Sequence, residues 1–181
     1  DNCRKYNLPL LYVNQVGAQT EIIFDGGSLV FDEEGLLLDE MPYFSEQIKT
    51  YEFNNGKFKG LSPILHNAQK DIEQIHDALI LGIRDYFQKS GFSKAILGLS
   101  GGIDSALVCA LAAEALGAEN VMAVLMPSEF SSAHSIKDAL DLVGNLGCQH
   151  EVVSIKEAAL VFENLMKPIF KDLPFNVAEE N

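Results

Sequence analysis

The chain changes its hydrophobic rhythm near residue 60. Before that point apolar residues come in short runs broken by turn residues. Segments 10–13, 21–24, 28–31 and 36–38 read as strands. Asp25-Gly26-Gly27 and Asp32-Glu33-Glu34-Gly35 are the turns between them, and 47–53 alternates as a last strand. This spacing predicts a β meander. A meander of fewer than about 60 residues rarely buries enough surface to stand alone, so it is expected to belong to a larger sheet. Residues 54–60 read as a linker rich in Asn and Gly.

After the linker the period becomes helical. Ser62 is placed as an N-cap with Pro63 at the first helical position. Ile64, Leu65, Ala68, Ile72, Ile75, Leu79, Ile83 and Phe87 recur at three- and four-residue steps, which predicts a helix to about Lys89, stopped by Ser90-Gly91. Strands and helices then alternate: strand 94–99, helix 103–116, strand 120–126, a helix from Ser132 to about Leu146, strand 150–154 and a helix from about Lys156 to Phe170. Continuous apolar strands alternating with helices predict an α/β fold with a doubly wound parallel sheet and right-handed crossovers. Ligands of such sheets bind outside the C-terminal strand ends.

Composition narrows the partners. Of 181 residues 48% are hydrophobic and 22% charged, as in ordinary globular domains. The net charge of −13 argues against a broad nucleic-acid footprint. The chain has no apolar run of about 18 residues and no leader-like start, so a membrane partner is not expected. Cys3, Cys109 and Cys148 show no C-x-x-C pairing and are read as reduced thiols of a cytoplasmic protein, without a metal or nucleophile role. The chain opens at Asp1 and closes on Glu179-Glu180-Asn181 with no helix stop, so it reads as a segment of a longer protein.

The candidate chemistry lies at Gly98-Leu99-Ser100-Gly101-Gly102-Ile103-Asp104-Ser105, between a buried strand and a helix start. Amides converge at such a corner, and the helix dipole adds about half a positive charge. Paired glycines allow positive φ and a close approach of backbone to phosphate oxygens. Ser100 and Ser105 add hydroxyls. Asp104 would repel a phosphate unless it holds a divalent cation shared with it, as oxygen-ligated Mg²⁺ is held. A serine-capped βα turn is the plainer reading. The loop is neither GxxxxGK[ST], since no lysine follows the second glycine, nor GxGxxG.

Ser128-Glu129-Phe130-Ser131-Ser132-Ala133-His134-Ser135 falls at the same sheet edge, as a functional loop or as an ordinary helix cap on Ser131 or Ser132. His134 reads as a first-turn surface residue, and His150 as structural. His66 and His76 lie ten apart on the expected long helix and share no face.

The string SGGxDS after a strand resembles the pyrophosphate loop of the N-type ATP pyrophosphatases. Residues 97–106, Leu97-Gly98-Leu99-Ser100-Gly101-Gly102-Ile103-Asp104-Ser105-Ala106, look most like that of the NAD⁺ synthetases. Met126-Pro127-Ser128 with Ser131-Ser132 and His134-Ser135 resembles their second loop, and Glu179-Glu180-Asn181 the start of their EENLQAR segment. Tyr12-Val13-Asn14-Gln15-Val16-Gly17, Gln19 and Phe24-Asp25-Gly26-Gly27-Ser28 are similar to the late part of the nitrilase-like glutaminase domain that precedes the glutamine-dependent synthetases, although Ala18 and Thr20 stand where that family usually has glycine and an acid.

The resemblance implies residues 1–60 as the end of a nitrilase-like α/β sandwich plus linker, and 61–181 as the start of a synthetase domain with an adenine nucleotide alpha hydrolase-like sheet. It implies a ligase that amidates deamido-NAD to NAD through an adenylate, releasing AMP and pyrophosphate. Its partners would be ATP, deamido-NAD, and glutamine or ammonia, in a homo-oligomer. Gly98–Ser105 would bind the ATP pyrophosphate, Asp104 would ligate Mg²⁺, and Asn181 would contact deamido-NAD. The glutaminase Cys–Lys–Glu triad and the later metal ligand would lie outside residues 1–181, so no catalytic residue is assigned and the isolated segment is expected to be inactive. Two other readings stay open: another N-type pyrophosphatase such as a GMP synthetase, and a non-catalytic module.

Overall fold

The computed structural model describes residues 1–66, 70–129 and 131–170. The chain divides into two compact units, Asp1–Phe92 and the residues from Ser93 onward. Among the described residues no helix is long and apolar enough to cross a membrane.

The first unit opens with a one-turn helix, α1 (Asn2–Tyr6), which buries Cys3. Strands β1 (Leu10–Tyr12), β4 (Leu29–Phe31) and β5 (Leu37–Glu40) form an antiparallel sheet in the order β1-β4-β5. Strands β2 (Val16–Gln19) and β3 (Ile22–Asp25) form a separate hairpin. The expected meander is therefore split, because β1 pairs with β4 and not with its neighbour in sequence. Strand β2 was not expected. Its Val-Gly-Ala-Gln sequence carries little strand preference.

Two further expectations are corrected. Residues 47–52 form no strand. Tyr51 instead donates its hydroxyl to Asp39 Oδ2 at 2.8 Å, and Lys49 pairs with the same carboxylate. Inside the expected linker, β6 (Phe53–Asn54) and β7 (Lys57–Phe58) close a small hairpin around Asn55-Gly56, both at positive φ. Asn-Gly is the pair that a tight hairpin turn favours.

The long helix, α2 (Asp71–Ser90), does not begin at Ser62-Pro63. Residues 61–66 form no helix: the Ile64 amide donates to the Leu37 carbonyl at 2.8 Å, and His66 Nδ1 lies 2.9 Å from Glu40 Oε1. Bonding to β5 overrides the local capping signal. His66 is thus off the helix that His76 occupies. Residues 67–69 lie outside the described set. Gly91, left-handed at φ 73°, closes α2 as expected.

Helix α2 packs on β2 and β3 and buries Ile80 and Leu81. A β-carbon at Gly82 would stand 3.3 Å from Ile23 Cδ1, so the helix approaches the hairpin closely at that turn. Asp85 Oδ2 accepts the Ala18 amide at 2.7 Å, and Lys89 donates to the Ala18 carbonyl at 2.5 Å.

The second unit follows the expected alternation: β8 (Ala95–Gly98), α3 (Ile103–Leu116), a 3-10 turn (Ala118–Asn120), β9 (Val121–Leu125), α4 (Ala133–Leu146), β10 (Gln149–Val152) and α5 (Lys156–Phe170). The three strands are parallel in the order β10-β9-β8, with Leu97 and His150 both in register with Ala123. The central strand buries Val121, Ala123 and Leu125. Helices α3 and α4 pack on it and on each other, through Cys109, Ala112 and Ala113 from one and Ala139 and Val143 from the other. Cys109 is fully buried beside Cys148, and burial pushes its thiol up to about 11, so it is no thiolate nucleophile.

Lys89 first, and then the Ala18 amide, hold the Asp85 carboxyl below the usual carboxylate range. A lowered folded value means that this stabilisation is complete above the unfolded value, about 3.9, and disappears as pH falls through the lower folded one. Asp85→Ala is expected to cost about 1–3 kcal/mol at neutral pH. Urea denaturation against pH should show the variant and parent curves converging only in strong acid. Thr20, β-branched at φ 53° in the β2–β3 turn, carries strain that asparagine tolerates better. Thr20→Asn should raise stability by about 0.5–1 kcal/mol in the same measurement.

Candidate functional site

The Gly-rich corner joins β8 to α3 at the C-terminal edge of the parallel sheet. Leu99 extends the ladder by donating its amide to Val124 O at 3.0 Å, and its side chain is buried. The chain then turns at Gly101, φ 83°, and enters α3 from Gly102, φ −86°.

The two glycines differ. A β-carbon at Gly101 would fall 2.2 Å from the Ser135 carbonyl oxygen and under 3 Å from its carbonyl and α-carbons. The first turn of α4 therefore rests on the bare backbone of Gly101. A β-carbon at Gly102 would meet only Ser100 Oγ, at 3.4 Å, an ordinary contact.

The serines are tied to the loop itself. Ser105 Oγ accepts the Ser100 amide at 3.2 Å and donates to the Gly102 carbonyl at 3.0 Å. Ser100 Oγ lies 3.0 Å from Ser105 Oγ and accepts the Gly102 amide at 3.3 Å. One proton arrangement satisfies all four contacts: Ser100 donates to Ser105, and Ser105 donates to Gly102. These hydroxyls organise the loop.

The two helix starts also differ. Ser132 caps α4 by accepting the Ser135 amide at 3.0 Å. Gly102 supplies no side-chain acceptor to α3. The amides of Ile103, Asp104 and Ser105 are those that an α-helix leaves without intrahelical partners, and they carry the positive end of the dipole. Asp104 sits in this first turn with an exposed carboxylate that makes no hydrogen bond or ion pair to a described residue.

Between the ends of β8 and β9 and the first turns of α4 lies a cavity of about 430 Å³. Leu125, Met126, Ile136 and Ala139 supply apolar wall, while Ser100, Ser131, Ser132 and Ser135 supply hydroxyl-bearing residues, and no described lining residue is charged. Of the eight loop residues predicted from sequence, Gly98, Leu99 and Ser100 line this cavity, whereas Gly101–Ser105 do not. The apolar wall and the Ser135 backbone were missed. Ile136 and Ala139 follow Ser132 at helical spacing, a pattern that reads as core. His134 is exposed and pairs with Asp138 at 2.7 Å, one turn along α4. Asn181 lies outside the described residues.

The family model described as NAD synthase matches residues 75–181. The chain belongs to the NAD synthase family. A glutamine-dependent NAD⁺ synthetase of Synechocystis is 46% identical over 99% of this chain and 32% of its own length. A glutamine-dependent NAD⁺ synthetase of Acinetobacter baumannii, solved in complex with ADP, matches 99% of this chain and 34% of its own at a TM-score of 0.89 and 36% identity. An ammonia-dependent NAD synthetase of Campylobacter jejuni, solved with a nitrate ion, matches 61% of this chain and 46% of its own at a TM-score of 0.53 and 32% identity. The chain thus spans about a third of the glutamine-dependent relatives. Its α/β fold with a parallel sheet is that of NAD synthetase structures.

Replacing the two glycines separates their roles. Gly101→Ala combines a left-handed backbone with a main-chain clash, and should cost about 2–4 kcal/mol. Gly102→Ala should cost under about 1 kcal/mol. Urea denaturation of both variants measures the difference.

Proposed function

We propose that the full-length protein amidates deamido-NAD to NAD, using ATP and ammonia drawn from glutamine, and releases AMP and pyrophosphate. The observation that carries this reading is the uncapped first turn of α3 beside an uncharged cavity, in a chain of the NAD synthase family. The nitrogen source is supported by coverage: the glutamine-dependent relative matches 99% of the chain, the ammonia-dependent one 61%.

The cavity suits the nucleoside end of ATP, with apolar side chains for the base and serines for polar edges. Gly98, Leu99 and Ser100 would border that end. Gly101, Gly102, Ile103, Asp104 and Ser105 would cradle the pyrophosphate, with main-chain donors complementing its negative charge. Asp104 would hold Mg²⁺, an assignment supported by its exposed, unpaired carboxylate, and the ion would neutralise phosphate charge. Asn181 would contact deamido-NAD. The nicotinate carboxylate attacks the α-phosphorus, pyrophosphate leaves, and ammonia then displaces AMP from the acyl-adenylate. The chain's own contribution is positioning and charge stabilisation.

The same reading makes residues 1–60 the end of a nitrilase-like glutaminase sandwich and 61–181 the start of a synthetase domain with a doubly wound sheet. It makes the protein a cytoplasmic homo-oligomer.

The test is adenylation by the full-length enzyme. With deamido-NAD, ATP and glutamine it should yield NAD, AMP and pyrophosphate, and xanthosine monophosphate should not replace deamido-NAD. Asp104→Asn should lower the rate by about 10²–10³ while glutamine hydrolysis stays measurable. Adenylation at a near-normal rate would remove Asp104 from the mechanism.

A further inference from the structure

Helix α2 holds the hairpin β2–β3 by more than apolar burial. Both polar groups of Ala18 bond to its side chains: the amide donates to Asp85 Oδ2 at 2.7 Å and the carbonyl accepts from Lys89 Nζ at 2.5 Å. Asp85 and Lys89 lie one helical turn apart and close the triangle with a 2.9 Å ion pair. The Asp85 side chain is only 15% exposed. A neighbouring strand would satisfy Ala18 with its own backbone; here a carboxylate and an ammonium replace it. Charged groups on a strand edge also block unwanted pairing. The chain is shaped for this contact at two glycines. A β-carbon at Gly17, φ 136°, would stand 3.1 Å from Asp85 Oδ2, and one at Gly82 would stand 3.3 Å from Ile23.

The location gives the contact its meaning. The NAD synthase family model begins at residue 75, inside α2, whereas β2 and β3 precede it. Asp85 and Lys89 therefore belong to the family module and Ala18 to the segment in front of it. Only residues 91–94 separate α2 from β8, which ends at the Gly-rich corner.

From this arrangement we infer that Asp85 and Lys89 are positioning residues that fasten the NAD synthase module to the preceding hairpin, and that glutamine-driven synthesis depends on this fastening while ammonia-driven synthesis does not. The inference rests on the function proposed above. A contact that serves only folding would affect both nitrogen sources equally. A contact that registers one module on another affects only the source that the other module supplies.

The experiment uses the full-length enzyme and compares NAD formation from glutamine with that from saturating ammonium chloride, for the parent, Asp85→Ala, Lys89→Met and Lys89→Arg. Asp85→Ala and Lys89→Met should lower the glutamine-driven rate by about five-fold or more and leave the ammonia-driven rate within about two-fold. Lys89→Arg, which keeps a donor for both acceptors, should restore the ratio. Hydrogen exchange at residues 16–19 should speed up in the first two variants and not in the third. An unchanged ratio, a parallel fall with both donors, or unchanged exchange would each overturn the inference. A parent enzyme that forms NAD from neither donor would refute the proposed function and the coupling with it. A parent active with both donors, whose variants keep the parental ratio, would refute the coupling alone.

Discussion

The main chain of Ser135 occupies the space that a side chain at position 101 would need, 2.2 Å from where its β-carbon would stand. The candidate site is built on this one approach. It sets the first turn of α4 against the strand-to-helix corner of β8 and α3, and the two turns then bound a cavity between them. Only glycine meets both requirements at position 101, a left-handed φ and the absence of a β-carbon. The central strand β9 holds the arrangement from below. Its buried residues Val121, Ala123 and Leu125 are small or branched, and both helices pack against them. Leu99 joins the same core and ends the strand where the loop begins.

The polyanion binding proposed above, in a chain of net charge −13, calls for local donors at the site itself. The corner meets this need with amides. No described charged residue lines the cavity, and Gly102 leaves the start of α3 uncapped, while Ser132 caps α4. The contrast matters because an N-cap side chain takes up one of the amides that an anion would otherwise use. The Ser100–Ser105 pair fixes the corner without entering that first turn as a cap. Its four contacts hold the Ser100 amide and the Gly102 carbonyl in place, so the loop is organised by its own hydroxyls.

The second unit was legible because its signals are local and agree with one another. Helix 103–116 lies where Gly102 and Gly117 bound an apolar run, and Ser132 and Gly147 bound α4 in the same way. The first unit was less legible because contacts distant in sequence decide it. Ser62-Pro63 is a sound helix start in isolation, yet the Ile64 amide bonds to Leu37 and His66 pairs with Glu40. Segment 16–19 has no strand signature and is held as a strand by β3 on one side and α2 on the other. The Asn55-Gly56 turn was a readable signal that the linker reading passed over. At the site, the motif located the loop but not its neighbour. Nothing in Ser135 announces that its backbone will meet Gly101, and Leu125, Ile136 and Ala139 look like any core residues.

Helix α2 shows why a module defined by sequence and a unit defined by packing need not coincide. The family model takes α2 in from residue 75, while the compact unit keeps it to Phe92 with the hairpin it covers. Both descriptions hold, because they weigh different things. The family model counts the helix, from residue 75, with the synthase residues that follow it. Packing assigns it to the surface that removes it from water, here β2 and β3, where Ile80 and Leu81 are buried. Its Asp85–Lys89 pair answers to the hairpin, and in sequence only residues 91–94 separate it from β8. Substitutions on the face of α2 that carries Asp85 and Lys89 are therefore constrained by the hairpin, although the family model that includes the helix does not include β2 and β3.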